Sequence, residues 1–169
     1  MNNSFIQRVY NIRVRMSQNS PSDTTFQISS TVFKASQTIP DKYTYRGENI
    51  NPPLQITGVP PSAKSLALIM HDPDAPNGNW VHWLVWNINS KTTKIAENTG
   101  VIGIEGTTSF GKPGYGGPCP PSGTHHYIFD LYALSEQLNL PANTTDTTLK
   151  NTIKNKTIST TQLIGLVSA

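Results

Sequence analysis

Charge is scarce in this chain. Asp, Glu, Lys and Arg make up 14 % of its 169 residues, below the share usual for globular domains and far below that of long solvated helices. Cysteine is nearly absent. Cys119 stands alone, so no intramolecular disulfide can form, which fits a reducing, cytoplasmic setting. No run of about 18 apolar residues occurs. The N-terminus lacks the apolar centre and small-residue site of a secretory signal, and no basic amphipathic helix is evident. Stable membrane insertion is therefore not expected. Basic clusters are missing as well. Lys plus Arg (13) exceeds Asp plus Glu (10) by three, and Arg8, Arg13 and Arg15 carry that whole excess. With no Lys/Arg cluster after Arg15, nucleic acid is not an expected partner.

What the chain has in quantity is glycine (12) and proline (13). That balance favours a loop-rich, mainly β protein, and the length suits one domain with a full core. No repeat or linker divides it. Residues 1–22 mix Asn, Ser, Gln and Arg with scattered apolar residues and read as a disordered extension. Met16 is an alternative start, and the domain is expected over 23–169.

Alternation and apolar runs predict strands at Phe26–Ser30, Leu54–Ile56, Ser65–Met70, Val81–Ile88, His126–Leu134 and Gln162–Val167, with a short one within Thr93–Ala96. Ser65–Met70 is apolar throughout and is expected to be buried on both faces. Within Val81–Ile88 a regular pleat would set His82, Leu84 and Trp86 on one face and Val81, Trp83 and Val85 on the other. Leu149 and Ile153 lie four apart in a predicted helix over Thr147–Lys156, capped by Thr145 or Asp146.

All four histidines fall in two stretches. The first is His71-Asp72-Pro73-Asp74-Ala75-Pro76, followed by Trp80-Val81-His82. The second is Gly111–Leu134, whose Gly/Pro-rich half delivers His125, His126 and Tyr127 to the head of a strand. Stiff loops on a rigid scaffold are where sites are built. Each feature also has a plain reading. Asp72 and Asp74 could satisfy backbone N–H groups in a proline-rich turn. His82 could be a core histidine with one hydrogen bond, and Tyr127 could simply bury its ring. Cys119, between two prolines, has no basic neighbour in sequence to activate it. Extended backbone points His125 and His126 to opposite sides, so they cannot readily share one site.

HDPDAP, the histidine of VHWLVWN and the run GYGGPCPPSGTHHYIFDLYAL resemble, in order and spacing, the two signature blocks of the phosphatidylethanolamine-binding protein family, also called the Raf kinase inhibitor protein family. The resemblance spans roughly Thr25 to Val167. The short Pro76–Trp80 connection and the PCPP loop are similar to the bacterial and archaeal branch. The resemblance implies a large central β-sheet, a smaller second sheet and a few peripheral helices. It also implies a small surface pocket for a phosphate-like anion such as a phospholipid headgroup of the phosphorylethanolamine type. Carried over, Asp72, Pro76, His82, His125 and Tyr127 would form that pocket, and the Ala75–Pro76 bond would be cis. Gly117 would offer its N–H with Cys119 beside it, and Asp74 would structure the loop. Cys119 stands where the animal branch usually has glycine. The implied protein is a binding protein without catalysis or cofactor, acting on a kinase or protease by contact, with a homodimer as one form. Anion binding would weaken as pH rises through the histidine range, about 6.5. Two other readings remain: a hydrolase using Cys119 with His125 or His82, and a metal site at Asp72, His82 and His125.

Overall fold

The computed structural model describes residues 25–169; the expected disordered segment 1–22 and the Met16 start lie outside the described residues. In chain order the elements are β1 (Gln27–Ser30), β2 (Gln37–Thr38), a 3-10 turn (Asp41–Tyr43), β3 (Leu54–Thr57), β4 (Ser65–Asp72), β5 (Trp80–Asn89), β6 (Lys94–Ile95), β7 (Ile104–Glu105), β8 (Thr124–Leu134), α1 (Asp146–Ile153) and β9 (Thr157–Ser168). They form a six-stranded sheet, β2-β9-β8-β4-β5-β7, and a three-stranded sheet, β1-β3-β6. Among the described residues only β2 runs parallel to its neighbour, β9. Among the described residues no helix is long and apolar enough to cross a membrane.

The mainly β class with a large and a small sheet is as expected. Two apolar layers explain it. Ile28, Leu54, Ile56 and Ile95 from the small sheet pack with Leu68, Met70, Trp83, Val85, Phe129, Leu131 and Leu163 from the large one. On the other face of the large sheet, Ala67, Ile69, Leu84 and Trp86 meet Leu149 and Ile153 of α1, with Leu134 and Leu138. The unbroken apolar run of β4 is thereby accounted for. Leu66 to Met70 are all fully buried because both faces of β4 are covered. Each of the Leu, Ile and Met side chains contributes roughly 1.5–3 kcal/mol relative to exposure.

Several boundaries move. β4 extends to Asp72 and β9 starts at Thr157, where alternation with Thr and Ser hides the strand from a hydropathy reading. The helix ends at Ile153; Thr145 is its N-cap by position but makes no side-chain capping bond. The two-residue strands β2 and β7 and the 3-10 turn have no sequence expectation, since pairs of residues carry no periodicity.

The face assignment of β5 is corrected at its start. Met70 pairs with Trp83 but His71 pairs with Val81, so His82 is the extra residue of a β-bulge. Val81 therefore joins Leu84 and Trp86 on the helix side. His82 stacks edge-on against Tyr127 on the same side as Trp83. A regular pleat would have sent His82 to the helix face; the bulge turns it toward the strand head of β8.

Candidate functional site

The site forms where the end of β4, the start of β5 and the head of β8 meet. β4 lies between the other two, pairing His71 with Ile128 and Asp72 with Trp80. Asp72 is 3 % exposed. Its Oδ1 accepts the Asp74 N–H at 2.9 Å, closing an Asx turn, and its Oδ2 meets His125 Nδ1 at 2.8 Å. Asp74 turns the other way. Its Oδ2 accepts the His126 backbone N–H at 2.8 Å and lies 2.7 Å from His126 Nδ1. The backbone bond first, then the imidazole, hold the Asp74 carboxyl below its ordinary range. The adjacent histidines thus diverge as extended backbone requires, each to its own aspartate, and the Asp74 contacts join the loop to His126 of β8.

The loop then turns at Ala75–Gly78. The Gly78 N–H donates to the Ala75 carbonyl at 3.0 Å, and Gly78 has φ +95°. The expected cis Ala75–Pro76 bond is corrected: there is no cis peptide bond among the described residues. Pro76 is the second residue of a four-residue turn, where a trans proline supplies the required φ; a cis bond belongs to turns with proline third.

His82 is 3 % exposed. Its Nδ1 lies 2.7 Å from the Gly116 carbonyl, and the Gly116 N–H donates back to the His82 carbonyl at 2.9 Å. A carbonyl only accepts, so Nδ1 carries the proton and Nε2 is the remaining polar atom of the neutral ring. Burial lowers the His82 pKa below 6.5, although the Gly116 carbonyl and the Asp72 carboxylate pull the other way. Edge-on contacts from Tyr127 (5.2 Å between centroids) and Phe110 (5.5 Å) fix the ring plane. Tyr127 is fully buried, and among the described residues its hydroxyl has no hydrogen-bond partner. The Asp72 carboxylate and the Cys119 backbone lie near without reaching it in bonding geometry. Burial first, and then Asp72, raise its pKa far above the ordinary value, so it stays a phenol and a donor.

These groups line one cavity of about 400 Å³. Asp72, Ala75, Pro76, His82, Cys119, His125 and Tyr127 of the expected set all border it, and Asp74 stands outside. Gly117 does not border it. Its N–H donates to Asn49 Oδ1 at 2.6 Å, so the expectation that it offers this N–H to an anion is corrected. A Cβ there would come within 2.6 Å of the Thr44 and Tyr45 backbone, so the position needs glycine for close approach. Sequence reasoning missed Asn77, Trp80, Phe110 and Pro121 of the wall. Phe110 arrives through the Ser109 N–H, which donates to the Val81 carbonyl at 3.0 Å, and Ser109 Oγ, which accepts the Val81 N–H at 2.8 Å. That pairing has no local signal.

Among the described residues no three His, Cys, Asp or Glu side chains are grouped to hold a metal ion. His82 and His125 direct Nδ1 to Gly116 and Asp72, not to Cys119. What the arrangement can do is bind. A phenol, two imidazoles with Nε2 uncommitted and an apolar rim suit a small, compact polar group.

Comparison with known proteins gives the family. Residues 29–168 match the profile of the phosphatidylethanolamine-binding protein family. A UPF0098 protein of Methanothermobacter thermautotrophicus is 44 % identical over 134 residues, covering 76 % of this chain and 89 % of the relative. One from Chlamydia pneumoniae is 40 % identical, covering 82 % and 96 %. A phosphatidylethanolamine-binding protein homologue from Chlamydia trachomatis has a crystal structure that matches with TM-score 0.83 at 36 % identity, over 85 % of this chain and 97 % of that one. YbcL of E. coli matches with TM-score 0.80 at 29 % identity, over 85 % and 98 %. The matched span holds the whole large sheet, all of the small sheet but the first two residues of β1, and every cavity-lining residue, and on that ground the chain belongs to the phosphatidylethanolamine-binding protein family.

Proposed function

We propose that this protein binds a compact phosphate-like anion in the cavity and does so without catalysing a reaction on it. A phosphorylethanolamine-type headgroup is the fuller form of that ligand, and any control of a kinase or protease would run through protein contact. One observation carries the reading: the Tyr127 hydroxyl is buried and unbonded among the described residues, and Tyr127 borders the cavity. A buried hydroxyl without a partner costs about 1–3 kcal/mol, a cost that an acceptor in the cavity would remove. An anion supplies that acceptor. It also suits protonated Nε2 atoms on His82 and His125, since a charged imidazole donates from both nitrogens. Both oxygens of Asp72 are already engaged, by the Asp74 N–H and His125, and the ammonium of an aminoalkyl phosphate would meet its remaining field.

The hydrolase reading has less support. Neither imidazole is hydrogen-bonded to Cys119 in a base–nucleophile pair. Titration of the ¹⁵N-labelled protein with phosphorylethanolamine, inorganic phosphate and acetate tests the proposal. Saturable shifts at Asp72, His82, His125 and Tyr127 are expected. Tyr127→Phe should lose most of the affinity while gaining stability, because it removes the orphan hydroxyl, and His82→Ala should lose binding. An absence of shifts at millimolar anion would sink the reading.

A further inference from the structure

Cys119 sits in a stiff frame. Pro118 and Pro120 on either side are buried, whereas Cys119 is exposed. Both prolines fix φ near about −65°, and the Pro118 carbonyl accepts the Tyr45 N–H at 2.9 Å. A buried proline thus flanks exposed Cys119 on each side, and Cys119 borders the cavity. A second, independent feature of the same cavity points to a ligand: the unpartnered hydroxyl of fully buried Tyr127. A thiol at the rim and an unmet donor within share a space of about 400 Å³, inside the range of roughly 300–1,000 Å³ typical of small-ligand sites.

We infer that Cys119 is a covalent modification site: it takes up a low-molecular-weight disulfide bearing an acidic group, whose anionic end fills the cavity and excludes free phosphate. The inference rests on the anion-binding reading and deepens it. The Cys119 thiolate attacks one sulfur of R–S–S–R. A Cys119 Sγ–S bond forms, the reagent's S–S bond breaks, and RS⁻ leaves and takes a proton from water. Cys119 is oxidised, half of the reagent is reduced to a thiol, and no other oxidant is needed. Reduction by a free thiol reverses the step and reopens the cavity. A bare thiol would show no preference for the charge of R. Here the Tyr127 hydroxyl and the two imidazoles favour a carboxylate or phosphate over an ammonium in the attacking complex.

The experiment follows intact mass as the full chain reacts with dithiodiglycolate, which is anionic, and with cystamine, which is cationic. Both rates are normalised to those of a neutral reference thiol. The anionic reagent should be favoured about tenfold or more over the reference, and the preference should shrink in Tyr127→Phe and in saturating phosphate. The dithiodiglycolate adduct should bind phosphate at least tenfold more weakly than untreated protein, with recovery after reduction. Cys119→Ser should take up no reagent, and its phosphate affinity should be the same before and after treatment. If the adduct binds phosphate as tightly as untreated protein, the inference is overturned while the anion reading stands. If untreated protein binds no phosphate and the reagents react in the reference ratio, both fall together.

Discussion

At the scale of single residues, the site is a set of committed and uncommitted atoms. Asp72 and Asp74 each spend their oxygens on a backbone N–H and a histidine of β8. His82 spends Nδ1 on Gly116, and its burial keeps it neutral at pH 7. What is left for a ligand is the Tyr127 hydroxyl and two Nε2 atoms. The pH dependence follows from that remainder. The folded pKa of His82 lies below its unfolded value of 6.5, so the unfolded chain binds the proton more tightly. The associated stability is present above about pH 6.5 and is lost as pH falls through the folded pKa. An anion at Nε2 favours the charged ring and raises that pKa. Anion affinity should therefore weaken as pH rises across the window between the free and bound values. Sulfate, which does not titrate here, isolates the protein's contribution. In ¹H–¹³C spectra the His82 ring should titrate below 6.5 in free protein and at higher pH with saturating sulfate. A midpoint that sulfate leaves in place would remove His82 from the anion's contacts.

At the scale of elements, legibility tracks periodicity. The long buried strands β4, β5 and β8 were readable because apolar runs or alternation extend over Ser65–Met70, Val81–Ile88 and His126–Leu134. The cavity's charged and polar residues were readable as well, because turn residues bracket them. The bulge at His82 was not. It depends on which residue of β4 meets Val81, a cross-strand fact that no local pattern encodes. The trans bond at Pro76 and the use of Gly117 were misjudged for a related reason: each is decided by a partner, the Gly78 N–H in one case and Asn49 in the other. Gly117 makes the element-scale prediction. A Cβ there meets the Thr44 and Tyr45 backbone at 2.6 Å, whereas one at Gly100 meets nothing within 4 Å. Gly117→Ala should cost about 1–3 kcal/mol in denaturant unfolding and weaken phosphate binding, since Gly116 next to it holds His82. Gly100→Ala should stay within about 0.5 kcal/mol of wild type. Equal effects of the two would refute the close-approach account.

At the scale of the whole molecule, the large sheet grades from a rigid centre to slight edges, and that gradient supports the site. β8 lies between β4 and β9; it pairs with β9 from Thr124 to Leu134 and with β4 from Ile128 to Leu134. The edges, β2 and β7, are two residues each, too short to offer an exposed row of donors and acceptors to another chain. His125 and Tyr127 thus project from the best-anchored strand, whereas Cys119 and Phe110 come from loops that cross its end. Local opening free energies should follow the same order. In native-state hydrogen exchange, the amides of Phe129 and Leu131 should exchange only near the global unfolding free energy. Those of Thr38 and Glu105 should exchange through smaller openings. A phosphate-like anion adds linkage stability to every opening that destroys its site. Saturating phosphate should therefore slow Phe129 and Leu131 by the same factor that it adds to global stability, and leave Thr38 unchanged. Equal slowing at Thr38 would mean that the β2 edge opens only with the whole sheet, and the graded picture would then give way to a single cooperative unit.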